Sequence, residues 1–225
     1  MGADRTPMIP ILIIPVLNRH DLLTKSLDCI DYEVEELLII NNGLEEDYSY
    51  SGNKNIKKVR VLNLPSNLGV AGSWNLGIKL YPHVPFWTIS SADTIIPDGW
   101  IKKIIEMSGK EYFVYGWGHN FFTIGEDIVR NVGLFDEYIY PAYYEDNDYD
   151  DRIILAGLQD RMVHSGLHLD PTKGSQSIYS NPNFMNRNHY TFDKNRTYYL
   201  EKKYSGDYTC RGWELDRRRD NEWIV

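Results

Sequence analysis

Short runs of branched apolar residues alternate in this chain with segments of helical spacing, and that alternation restricts the fold more than any other feature. Ile11-Leu-Ile-Ile-Pro15 is apolar on both faces, and after the turn former Asn18 come Leu22, Leu23, Leu27 and Ile30 at helical intervals. Glu36-Leu-Leu-Ile-Ile-Asn41 repeats the strand pattern and ends in Asn41-Asn42-Gly43, where Asn and Gly permit the positive φ of a turn. Lys58 to Leu64 reads as a third strand, Val70 to Leu80 as a helix, Phe86 to Ile89 as a fourth strand, and Pro97 opens a helix through Met107. Strands that are apolar on both faces and alternate with helices predict an α/β chain: a mainly parallel central sheet flanked by helices, of the doubly wound class. Ligands of such sheets bind beyond the carboxyl ends of the strands, where strand order reverses. The loops to search are therefore Asn18-Arg19, Asn41-Asn42-Gly43, Pro65 to Gly72 and Ser90 to Thr94.

The second half is mixed. Tyr112 to Trp117, Asn120 to Ile124 and Met162 to His164 read as strands, Gly125 to Val132 as a short helix, and Glu145 to Ala156 as a longer one stopped by Gly157. From Asn181 the chain is rich in Asn, Tyr, Arg and Lys without amphipathic spacing, which predicts an extended or partly helical tail. The expected organisation is one domain over 1–180 with a C-terminal extension, 181–225, packed on it. Thirty-two acidic against 24 basic side chains leave a net charge of −8, which excludes a broad nucleic-acid-binding face. Cys29 and Cys210 are too few for a disulfide framework and lack zinc-site spacing. The apolar run at Ile9 to Leu17 is about half the roughly 20 residues of a membrane span, and no cleavage site follows it. The expectation is a soluble, cytoplasmic protein with no stable membrane insertion. The 17 Tyr and 6 Trp suit sugar stacking as well as they suit a core.

Five pieces stand in informative order: Ile14-Pro-Val-Leu-Asn-Arg19, Leu38-Ile-Ile-Asn-Asn-Gly43, Asn67 to Gly77, Ser90-Ser-Ala-Asp93 followed by Pro97-Asp-Gly, and Tyr144-Glu-Asp-Asn-Asp-Tyr-Asp-Asp-Arg152. Together they resemble family 2 glycosyltransferases of the GT-A fold, from about residue 9 to about residue 175. The resemblance implies a nucleotide-diphosphate sugar donor of UDP, dTDP or GDP type, a glycan acceptor and a divalent cation, Mn²⁺ or Mg²⁺. It places Pro15, Asn18 and Arg19 against base, ribose and pyrophosphate, although Arg19 serves equally well as a solvated helix-start residue. Asn41 stands where the family usually has an acidic base reader. The Asn67 loop offers backbone amides to a phosphate, with Asn67 and Asn75 as polar contacts and Gly72 keeping the helix close; the same stretch also makes a plain strand-to-helix turn.

Ser91-Ala92-Asp93 keeps only the last carboxylate of the usual acidic motif, so Asp93 is the candidate metal ligand, with Ala92 beside it on the donor and His164 as a possible second ligand; His168 is a weaker candidate. Lys173 is a further cation for the leaving group. In the run from Glu145 to Asp151 acidic residues suit a helix N-terminus, but five carboxylates exceed what capping needs. The resemblance implies a general base in the Glu145-Asp146 pair, Asp146 being favoured and Glu145 supporting it, whereas Arg152 forms an i,i+4 pair with Asp148. No other carboxylate has a clear claim as a covalent nucleophile, so transfer with inversion is expected. Two alternatives are a catalytically silent GT-A domain that binds nucleotide sugar or glycan, motivated by Asn41 and Ser91, and a nucleotidyltransferase, which would carry a Gly-rich basic loop in place of Pro15 to Arg19.

Overall fold

The computed structural model describes residues 8–43, 46–168 and 182–210, with 182–190 described by backbone alone. In chain order the elements are β1 (Leu12–Val16), α1 (His20–Asp28), β2 (Val34–Asn41), β3 (Ile56–Asn63), α2 (Gly69–Leu80), β4 (Phe86–Ser90), α3 (Trp100–Met107), β5 (Phe113–Trp117), β6 (Phe121–Gly125), α4 (Glu126–Val132), α5 (Glu145–Leu155), β7 (Met162–His164) and α6 (Pro182–Ser205). The strands form one seven-stranded sheet in the order β3-β2-β1-β4-β6-β5-β7. β6 runs against both its neighbours, and every other pairing is parallel.

Alternation within each strand explains why both faces are covered. Ile13, Leu38 and Ile40 pack with Trp74 and Ile78 of α2, Ile128 of α4 and Tyr149 and Ile153 of α5. Leu12, Ile14, Leu37 and Ile39 pack on the opposite face with Leu23 and Leu27 of α1 and Ile101, Ile104 and Ile105 of α3. Trp100 also packs against this second cluster. The close approach of α2 to β1 depends on Gly77, because a Cβ there would stand 2.7 Å from Ile13 side-chain atoms. Gly72, expected to hold this helix close, has only Leu68 Cβ at 3.3 Å.

The chain lays β2 and β3 on one side of β1 and then returns to place β4 on the other, so the order reverses between β1 and β4. The carboxyl ends of β1, β2, β4, β5 and β7 share one edge with the start of the reversed β6. Among the described residues no helix is long and apolar enough to cross a membrane.

Within the tail expected to be extended or partly helical, Pro182–Ser205 forms α6, a helix of 24 residues. Among its residues with described side chains, the buried ones include Asn195, Tyr198, Tyr199 and Lys202, each 7% exposed or less. These positions follow helical spacing, but their polar types hide it from a search for apolar periodicity. Asn195 begins the glycosylation acceptor pattern Asn195-Arg-Thr197 and is buried in the fold.

Candidate active site

The donor-side loops are locked to one another by amide side chains. Val16 O at the end of β1 accepts from Asn42 N, and Asn42 Oδ1 accepts from Leu68 N at 3.0 Å and from Ser73 Oγ at 3.3 Å. Gly43, at φ +78, turns so tightly that a Cβ would meet Leu64 O at 2.3 Å. Pro15 and Asn18 are half-buried at this edge. Arg19 takes the left-handed conformation that opens α1, and its guanidinium binds Asp21 at 2.8 Å through both Nε and Nη2. That pairing lowers the Asp21 carboxyl to about 2.

Three expected donor contacts are engaged with the protein itself. Asn41 is 1% exposed; its Oδ1 accepts from His20 Nε2 at 3.2 Å and its Nδ2 donates to Asn63 Oδ1 at 2.8 Å. Asn75 is fully buried and clamps the backbone of Phe135, donating to its O at 2.8 Å and accepting from its N at 2.9 Å. Asn67 Oδ1 accepts from Gly69 N at 2.7 Å, which closes a turn on its own chain. The amides at the start of α2 are likewise taken: Leu68 N by Asn42, Gly69 N by Asn67, and Val70 N by Pro141 O at 2.7 Å. Three amides of the expected phosphate cradle thus have internal acceptors, and this loop fastens the edge to residues 135–141.

The reversed strand β6 joins the two halves of the edge. Its pairing sets Ser90 opposite Phe121, so Ser91 N donates to Asn120 O at 2.8 Å and Ser91 Oγ bonds Asn120 Oδ1 at 3.2 Å. The turn at 118–120 therefore lies beside Ala92, which is half-buried, and Asp93, which is 5% exposed. The same turn carries His119, a residue the sequence did not single out. Its side chain is 12% exposed, with Nδ1 3.9 Å from Asp146 Oδ2 and Nε2 3.4 Å from Asp150 Oδ1. Asp150 Oδ1 also accepts from Tyr115 OH at 2.6 Å; burial first, and then the charge of Asp150, raise the Tyr115 phenol far above its ordinary range. His164 ends β7 with its ring stacked 4.4 Å from that of Tyr115.

The two members of the acidic pair at the head of α5 have different surroundings. Glu145 is 7% exposed, and its Oε2 has no hydrogen-bond partner among the described residues. Burial, followed by the neighbouring charge of Asp146, pushes its carboxyl up to about 8, so it is protonated at neutral pH. Asp146 has 38% of its side chain open to solvent and faces the His119 turn. Tyr143 and Tyr144, just before the pair, both adopt left-handed backbone with φ 74 and 75. Each such non-glycine residue costs on the order of 1–3 kcal/mol, which surrounding contacts must offset. Asp148 points the other way, into a buried ionic cluster in which Arg152 Nε binds it at 2.9 Å and Lys202 Nζ lies 2.6 Å from it and 2.7 Å from Asp136.

This ionic cluster bears on metal binding. Among the described residues, the His, Cys, Asp and Glu side chains close enough to share an ion are Asp136, Asp148 and Cys210, within 4.8 Å of one another. Lys202 bridges the two carboxylates and Arg152 pairs with Asp148, so two internal cations already balance the two negative charges and the cluster does not fit a divalent ion. Asp93 supplies the one carboxylate of Ser91-Ala92-Asp93 at the sheet edge. Asp93 is buried there and is not part of that group. His168 is exposed beyond β7, while Lys173 and the Arg217-Arg-Arg219 run lie outside the described residues.

A mainly parallel sheet that brings its switch-point loops and an acidic helix terminus to one edge is the architecture of a GT-A group-transfer enzyme. The family model for glycosyl transferase family 2 matches residues 11–156, more than half of the chain, and the protein belongs to that family. Its class of activity is glycosyl transfer. No curated protein matches the chain significantly. The family match stops at the end of α5 and leaves α6 outside it.

Proposed function

We propose that this protein transfers a hexosyl group from a nucleotide-diphosphate sugar to a hydroxyl of a glycan acceptor, with inversion, and that Asp146 is the general base. The observation that carries the assignment is the division within the acidic pair: Glu145 is buried and neutral, whereas Asp146 is open to the edge on which a hydroxyl would arrive. A base must lie within hydrogen-bond reach of the proton it removes, and a buried protonated acid cannot take that proton. Glu145 then supports the helix head beneath Asp146. His119 stands beside the base, 3.9 Å from Asp146 and 3.4 Å from Asp150.

On the donor side, Pro15, Asn18 and Arg19 would meet the nucleotide of a UDP, dTDP or GDP sugar, with Ala92 beneath it, and Asn41 would act through His20. Asp93, with His164 as the second side chain proposed, would hold Mn²⁺ or Mg²⁺. When bound, such a cation supplies positive charge to the leaving diphosphate.

The test is Asp146→Asn, assayed by product formation and by calorimetric donor binding. Transfer falls by roughly 10²–10⁴-fold while donor affinity stays within about twofold. Retained turnover refutes Asp146 as base. The second reading, a silent nucleotide-sugar binder, is favoured by Asn41, which stands at the base reader's place with its amide already engaged; it requires donor binding without turnover by the wild type against any acceptor.

A further inference from the structure

We propose that helix α6, beyond the family match, holds the acceptor-side segment in its reactive shape, with Phe192 and Asn195 as its positioning residues. The inference rests on the reading of Asp146 as base. Tyr143 and Tyr144 stand directly before that pair in left-handed backbone, which bulky side chains do not maintain unaided. Asn195 Nδ2 donates to Ala142 O at 2.8 Å, immediately before the first of them. The Phe192 ring lies 5.3 Å from Tyr143 and 5.1 Å from Tyr144, and Tyr199 stacks on Tyr144 at 5.4 Å.

One and two turns further along, α6 grips the helix that carries the base. Lys202 pairs with Asp148, and Tyr199 OH and Lys203 Nζ both donate to Asp151. These contacts gather on residues 142–151, while the donor loops follow β1, β2 and β4. α6 therefore acts on the segment that presents Asp146 and makes none of these contacts with the loops that follow β1, β2 and β4. In this arrangement Phe192 and Asn195 touch no reacting atom and act through the backbone of 142–144.

The variants that test this are Phe192→Ala, Phe192→Tyr and Asn195→Ala in the full chain. Phe192 is 36% exposed, so trimming its ring leaves the core intact. Both alanine variants lower kcat by between about tenfold and a hundredfold, the range expected when a reacting group is displaced by about 1 Å. Donor KM and calorimetric donor affinity stay within about twofold, and Phe192→Tyr, which keeps the ring, restores kcat. Hydrogen exchange followed by mass spectrometry gives a readout that needs no acceptor: peptides covering 140–148 exchange at least about tenfold faster in the alanine variants, while β4 keeps its protection. Unchanged exchange over 140–148, or loss of donor affinity in step with kcat, overturns the proposal. A wild type whose turnover is indifferent to Asp146→Asn removes the base assignment instead, and the exchange result still decides whether α6 holds the loop.

Discussion

Replacing Glu145 by Gln gives a neutral side chain of the same shape at a site where the structure holds the carboxyl neutral, so the consequence is a pH dependence. The folded-state value is about 8 against an ordinary 4.5, because burial and then Asp146 penalise the charge. A raised folded-state value means that the native protein binds the proton more tightly than the unfolded chain does. The stabilisation is therefore complete below about pH 4.5 and is lost progressively up to about pH 8. At about 1.4 kcal/mol per pH unit, the window comes to on the order of 5 kcal/mol. Urea unfolding of wild type and Glu145→Gln from pH 4 to 9 isolates this group together with its coupling to Asp146, because titrations elsewhere cancel in the difference. The variant gains on the wild type by about 1.4 kcal/mol per unit through the window and levels off above it. A difference that stays flat across the range means that Glu145 is ionised in the fold, and the division of labour between it and Asp146 falls with it.

Three further outcomes are open to measurement. Asp93→Ala weakens donor binding in the presence of Mn²⁺ by at least about tenfold and leaves the metal-free affinity unchanged, as titration calorimetry with and without the ion would read; equal affinities with Mn²⁺ remove the metal role. Gly77→Ala forces a methyl group against Ile13 and lowers stability by about 1–3 kcal/mol in thermal unfolding, whereas Gly72→Ala costs less. Lys202→Met leaves Asp136 and Asp148 buried without their ammonium, and denaturant unfolding should register a loss of about 3–5 kcal/mol.

The sheet was legible because its signal is carried by residue type. Branched apolar runs such as Ile11 to Ile14 and Leu37 to Ile40 have few folds open to them other than a strand buried on both faces. The acidic head of α5 and its Asp148–Arg152 pair were legible for a similar reason, since helical spacing fixes which side chains meet. Asn75 was misjudged because an amide that clamps the Phe135 backbone is chemically identical to one that reads a ligand, and only burial separates the two. His119 gives no signal in one dimension; it matters because an antiparallel strand returns it to the edge where Asp146 emerges. The tail was legible only as extended or partly helical, because Asn195, Tyr198, Tyr199 and Lys202 bury a polar stripe through internal hydrogen bonds and ion pairs, a face that apolar periodicity does not register.

The short turn between β5 and β6 has a mechanical consequence. It is fastened at Asn120 to the strand end that presents Asp93, and at His119 it lies against the helix head that presents Asp146. In the proposed reaction the turn would work as a gauge block between the leaving-group side and the attacking side. Its length sets their spacing, so one residue inserted there would alter the reach of the attack while leaving every named reacting group chemically untouched.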